Sequence, residues 1–182
     1  MADDITLLYH EILDKVHKAK TKKEKVQLLK KYNTAGLKMV IKSSFDPKIE
    51  WAIPEGDVPF EVNDAPDGTE HTRLATESKK LWHFIKGADR HITQNKREYM
   101  YIQLLEGLSA GEARVLNGAK DKALHRIYKG LSADVVKEAF GWNDGFMIPD
   151  PNAPKVAYDR QGNRIVASDS YPQASGSANG VG

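Results

Sequence analysis

The chain has 182 residues, 27 basic against 25 acidic for a net charge of +2, and 40% hydrophobic content. That is enough for one modest core, with no run of about 18 apolar residues to cross a membrane. The absence of cysteine excludes disulfides, thiolate catalysis and cysteine-based metal centres.

The charge is divided unevenly along the chain. Residues 1–44 carry +5, 45–70 carry −7, 71–130 carry +6 and 131–182 carry −2. The first residues bear acids where a signal peptide carries basic groups, so an intracellular protein is expected. Ile5, Leu8, Ile12, Val16 and Ala19 recur at helical spacing and predict a first helix near 4–20. Thr21-Lys22-Lys23-Glu24 has the form of a capping box, with the carboxylate reaching back to the Thr21 N–H, and opens a second helix near 22–32. Leu37, Val40 and Ile41 indicate a short third helix ending near Ser43-Ser44.

Residues 45–70 hold four prolines and eight acids and are unsuited to a helix. Ile49, Trp51, Ile53, Val58, Phe60 and Val62 are interleaved among them, which points to an extended strap pinned to the helical body. Helices resume near 72–86, 95–108, 109–121 and 132–140. Tyr99, Ile102, Leu105 and Leu108 mark the 95–108 helix, and Ser109 to Glu112 repeats the capping-box spacing. A hairpin with a turn at Arg160-Gln161-Gly162-Asn163 is predicted next, then a flexible Ser/Gly-rich tail over 173–182.

The expected fold is therefore mainly α: a small helical bundle with a long proline-rich acidic strap and a C-terminal β-hairpin plus flexible tail. The domain organisation reads as 1–142 helical, 143–172 linker and hairpin, and 173–182 tail. The predicted core includes Ile12, Val16, Leu29, Leu81, Ile85, Ile102, Leu105 and Leu116.

Motifs for chemistry are sparse. No phosphate-binding loop, dinucleotide fingerprint or nucleophile elbow is present, so no cofactor is expected and nothing supports an enzyme. His10, Asp14 and His17 share one helical face, a spacing that metal sites use, but without a fourth ligand they read as a solvated polar face. His83 has no acid partner visible by spacing and reads as a packing residue. The basic clusters carry more weight. Lys22, Lys23, Lys30 and Lys31 crowd the first helical hairpin, and Lys79, Lys80, Lys86, Arg90, Lys96 and Arg97 crowd the middle. Lysine-rich faces contact phosphate backbones electrostatically, whereas base stacking needs exposed aromatics, which the first cluster lacks. Asp64, Asp67 and Glu70, at the acidic end of the strap, are the second candidate contact surface.

Asn63-Asp64-Ala65-Pro66 with Gly68-Thr69-Glu70-His71-Thr72-Arg73-Leu74, and Leu104-Leu105-Glu106-Gly107-Leu108 with Glu112-Ala113, carry a resemblance. The chain from about Lys18 to Trp142 resembles a family of uncharacterised proteins of T-even-type tailed phages that infect marine cyanobacteria. The resemblance implies a phage origin and brings no catalytic residue with it. A non-enzymatic accessory protein is expected, binding a phage or host protein, or nucleic acid through its basic helices, in the infected cytoplasm. The alternative is a virion component of neck, tail or capsid.

Overall fold

The computed structural model describes residues 7–64, 66, 72–144 and 146, and the backbone of 156–158 and 164–166. The chain divides into two units, 1–148 and 149–182. The first is mainly helical.

Its helices are α1 (Tyr9–Lys18), α2 (Lys22–Lys31), α3 (Ala35–Phe45), α4 (Leu74–Glu77), α5 (Gln94–Gly107), α6 (Ala110–Lys120), α7 (Leu124–Ile127) and α8 (Ala133–Phe140). A 3-10 segment, Ser78–Phe84, continues directly from α4. Hydroxyl caps set five of the helix starts. Thr21, Thr34, Thr93, Ser109 and Ser132 each accept from the backbone N–H three residues on, as the unpaired donors of a first turn require. At α2 the Glu24 carboxylate accepts a hydrogen bond from the Thr21 hydroxyl at 2.8 Å, where the capping box predicted the Thr21 backbone N–H. Gly141 ends α8 in the left-handed conformation, φ +70°, which costs glycine nothing.

α2 packs between α1 and α8, and α6 packs against both α1 and α3. The core they share includes Leu13, Val16, Leu29, Leu37, Leu105 and Leu116, each sealed from solvent. Ile12, Val16, Leu29, Leu81, Leu105 and Leu116 are buried as the periodicity predicted. Ile85 and Ile102 are only half-buried.

Both exceptions have a physical cause. On α5 the buried residues are Tyr101 and Leu105, followed by Leu108 at its C-cap, so the predicted stripe fails only in its first half, and Tyr99 is 62% exposed. Tyr101 prevails over Ile102 because its ring meets Phe84 edge-on at 5.3 Å and its hydroxyl donates to Asn117 Oδ1 at 2.8 Å. A buried tyrosine is stable when its polar tip is satisfied. Ile85 lies where the predicted 72–86 helix fails. The Phe84 carbonyl accepts from Ala52 N at 2.6 Å, and Lys86 N donates to the Glu50 carbonyl at 2.7 Å. Those groups pair in an antiparallel bridge of Trp51 with Ile85 and are unavailable to a helix. Upstream the tighter winding suits the burial pattern, since Ser78, Leu81 and Phe84, three residues apart, form the buried row.

Residues 46–64 form no helix. Their backbone carbonyls are held by side chains from the helical body. Lys120, whose side chain is fully buried, donates to the carbonyls of Pro54 at 2.8 Å and Gly56 at 3.0 Å and pairs with Asp121. Lys122 Nζ reaches the Asp46 carbonyl at 2.6 Å, and Gln94 Nε2 that of Ala52 at 2.8 Å. The Trp51 indole N–H donates to the Ser43 carbonyl at 3.1 Å, and Ile53 is buried. Cations therefore meet the carbonyls of this segment, and the carboxylates of Glu55, Asp57, Glu61 and Asp64 face solvent.

One buried carboxylate ties three helix starts together. Glu112, fully buried in the first turn of α6, accepts from Tyr9 N at 2.8 Å and from Leu74 N at 2.7 Å. Tyr9 and Leu74 are the first residues of α1 and α4, so one anion neutralises the positive end of each.

In the second unit, Val156–Tyr158 (β1) and Arg164–Val166 (β2) run antiparallel with Val156 opposite Val166. The predicted turn at 160–163 and the 173–182 tail lie outside the described residues.

Candidate functional site

The basic and acidic candidates are spread over the surface. Lys22 and Lys23 occupy the first turn of α2 and Lys30 and Lys31 its last, about 12 Å apart along the axis. All four are exposed. Lys22 pairs with Glu138 at 3.1 Å across a solvated gap, and the Lys31 ammonium lies 5.3 Å from the Tyr32 ring centre. Lys30 and Lys31 also sit where the helix dipole favours cations, which gives them a local role. Asp64 is exposed, and Asp67 and Glu70 lie outside the described residues.

The His10, Asp14 and His17 side chains make separate contacts. Asp14 pairs with Lys18 at 2.8 Å, which holds its carboxyl below the ordinary range. His17 Nδ1 accepts from Gly130 N, and the His10 ring packs on the backbone of Gly111. Among the described residues no group of three or more such side chains is arranged for a metal ion.

The most ordered polar assembly lies in the middle cluster. The 3-10 winding sorts Ser78–Phe84 into rows three apart: the buried row, a row with Lys79 and Trp82, and a row with Lys80 and His83. Trp82 is 46% exposed. Its ring lies against that of His83, with centroids 4.0 Å apart and planes 30° from parallel. His83 Nδ1 meets Asp89 Oδ2 at 2.6 Å, and Asp89 Oδ1 accepts from His91 N at 3.0 Å. Asp89 is only 5% exposed. The His83 bond, then that of His91, holds its carboxyl below the usual carboxylate range. Arg97, from α5, locks both ends. Its Nε donates to the His83 carbonyl at 2.9 Å and one terminal nitrogen to the Asp89 carbonyl at 2.7 Å. Gly87, at φ +84°, makes the turn that carries the chain from His83 to Asp89.

Sequence reasoning missed this pair. The signal was His83 and Asp89 six residues apart around a glycine, with an arginine on the next helix. Arg97, counted among the surface cations, is an internal clamp. Lys79, Arg90 and Lys96 remain exposed around the assembly, while Lys80 and Lys86 pair with Glu77 at 3.1 Å and Glu50 at 3.2 Å. With Nδ1 committed to Asp89, only Nε2 of the His83 ring is left for a further hydrogen bond.

A family of unknown function, DUF6433, matches residues 12–126. The chain belongs to the DUF6433 family. The matched span contains the Trp82–His83–Asp89–Arg97 assembly, Glu112 and all of α2 to α6. No curated protein and no solved structure matches this DUF6433 chain. Among the described residues no helix is long and apolar enough to cross a membrane.

Proposed function

We propose that this DUF6433 protein is a non-enzymatic accessory protein of phage infection that holds a phage or host protein on the face around Trp82 and His83. The carrying observation is a rigid, exposed tryptophan. Trp82 is nearly half exposed, yet its ring is fixed by His83, which is fixed in turn by the buried Asp89 and the Arg97 clamp. Aromatic anchors dominate binding energy at protein interfaces, and an immobilised side chain has already lost the rotamer freedom that binding removes. The solvent-facing carboxylates from Glu55 to Asp64 support a second contact, for a basic surface of the partner, at the far end of an acidic strap.

Affinity capture from infected cells, with and without nuclease, tests the reading. Wild-type protein should retain a defined partner after nuclease treatment, and Trp82→Ala should lose it while melting within a degree or two of wild type. Capture unchanged by Trp82→Ala refutes this face. Capture that disappears with nuclease transfers the reading to nucleic acid, which the exposed Lys79, Arg90 and Lys96 would favour. Binding would then fall steeply with salt and weaken when Lys22, Lys23, Lys30 and Lys31 become Gln. A virion role is the second reading, supported by β1 and β2, since an isolated strand pair is marginal unless it joins a neighbour. Stoichiometric presence in purified particles would favour it.

A further inference from the structure

The segment after α4 satisfies two helical readings at once. Leu74, Ser78, Leu81 and Ile85, at spacings of four, three and four, would share one face of an α-helix. The 3-10 winding instead buries Ser78, Leu81 and Phe84 and leaves Ile85 half-buried at an extended end, φ −95° and ψ 133°. Seven residues is long for a 3-10 run, and such a stretch continuing an α-helix often marks a hinge. What prevents the α-helix is the 46–64 segment. In an α-helix the Lys86 N–H would donate to the Trp82 carbonyl. Here it donates to the Glu50 carbonyl at 2.7 Å, and Ile85 N donates to the Trp82 carbonyl at 3.2 Å. The Phe84 carbonyl is likewise occupied, accepting from Ala52 N at 2.6 Å. Side chains of the helical body fasten the 46–64 segment in place. Lys120 Nζ donates to the Pro54 and Gly56 carbonyls, Gly56 N donates to Asp121 Oδ1 at 3.1 Å, and Gln94 Nε2 donates to the Ala52 carbonyl. Gln94 also accepts from Arg97 at 2.6 Å, and Arg97 clamps His83 and Asp89. The fastening of the segment and the clamp of the Trp82 anchor therefore meet at one side chain.

We propose that residues 50–56 are a latch on the Trp82 anchor. Docked, they hold residues 78–86 in the 3-10 form; lifted, they let the same residues wind on as a continuation of α4. The lifted form loses no backbone bond at Lys86, because its N–H exchanges the Glu50 carbonyl for that of Trp82. Ile85 then joins Leu74 and Leu81 in the buried row. Opposing the lift are the burial of Ile53 and the two carbonyls that Lys120 holds. Segments fastened by a few contacts of this kind open locally, below the free energy of global unfolding. An α-helix turns about 100° per residue and a 3-10 helix about 120°, so rewinding from Ser78 swings Trp82 by about 80° and His83 by about 100°. The 2.6 Å bond from His83 to Asp89, which lies past the Gly87 turn, does not survive that rotation. Without Asp89 the His83 ring no longer holds the indole in place. The consequence for binding rests on the Trp82 reading above: a partner that requires the fixed ring also favours the docked segment, by linkage.

The test is amide exchange and NMR chemical shifts on the full chain, with Lys120→Met and Ala52→Pro as variants. Lys120→Met keeps the side-chain length and removes the ammonium; Ala52→Pro removes the N–H that occupies the Phe84 carbonyl. In the wild type the Ala52 and Lys86 amides should exchange through one shared opening, ahead of the Leu105 and Leu116 amides in the core helices. Lys120→Met should speed both by about ten-fold, the loss of one charge-assisted hydrogen bond. In both variants the Cα shifts of Ile85 and Lys86 should move from extended to helical values, and His83 Nδ1 should lose its hydrogen-bonded shift. Wild-type Ala52 and Lys86 amides that exchange only with global unfolding overturn the proposal, whether or not either variant folds. So does a variant whose Gly56 amide has lost protection while Ile85 stays extended. Capture that does not depend on Trp82 removes the binding reading and keeps the latch. Trp82-dependent capture with Ile85 extended in both variants removes the latch and keeps the binding reading.

Discussion

Replacing Glu112 by glutamine exchanges one oxygen for an NH₂ group and strikes the point where three helices begin. The wild-type carboxylate is fully buried and accepts backbone N–H groups from α1 and α4 at 2.8 and 2.7 Å. Hydrogen bonds to a charged group contribute roughly 1.5–3 kcal/mol each. Glutamine keeps one carbonyl acceptor and presents an NH₂ to the other donor, so one N–H loses its partner and the remaining bond loses its charge assistance. The expected loss is about 2–4 kcal/mol, a large share of the roughly 5–15 kcal/mol that holds a domain folded. For a chain of this size that lowers Tm by roughly 4–16 °C. Thermal and urea unfolding followed by circular dichroism measures the loss, and amide exchange locates it. The Tyr9 and Leu74 amides should exchange faster than neighbours later in α1 and in the 3-10 segment. A Gln variant within about 0.5 kcal/mol of wild type, with both amides still protected, would refute the reasoning.

Two further outcomes follow from named contacts. The Asp89 carboxyl is held below its ordinary range by His83 and then His91, so the folded state binds fewer protons there than the unfolded chain. Its contribution is present above the unfolded value near pH 4 and lost as pH falls through the lower folded one; the stability gap between wild type and Asp89→Asn should therefore narrow as pH falls below about 4 in urea titrations. At Gly111, alanine should destabilise by about 1–3 kcal/mol although it is the better helix former, because its Cβ would lie 2.4 Å from the His10 ring; a rise in Tm would show that α1 and α6 separate without cost.

Much of the fold was legible because it depends on local chemistry. Thr21, Ser109 and Ser132 cap the helices that their spacing announced, and the apolar stripe of α1 faces the core. The phase of α5 was less legible. Leu105 and Leu108 belong to both candidate stripes, and the choice between Tyr101 and Ile102 depended on Asn117 and Phe84, which are remote in sequence. The candidate site was legible only as a basic cluster containing an aromatic. Its organising pair, His83 and Asp89, is close in sequence, but the Gly87 turn and the clamp from α5 bring the two rings and the carboxylate together.

The sequence by itself determined what depends on composition and short spacing: a cysteine-free helical body, its hydroxyl caps, and a proline-rich acidic segment unable to coil. Only the tertiary structure decided where the polar groups went. Glu112 stands at capping-box spacing from Ser109, yet its carboxylate serves Tyr9 and Leu74, more than thirty residues away in each case. Lys120 is one of many lysines, yet it is the one buried on the carbonyls of Pro54 and Gly56. The reason is common to both. A local motif supplies a donor or an acceptor, but burial makes an unmet partner costly, and which distant group meets it depends on how the helices pack.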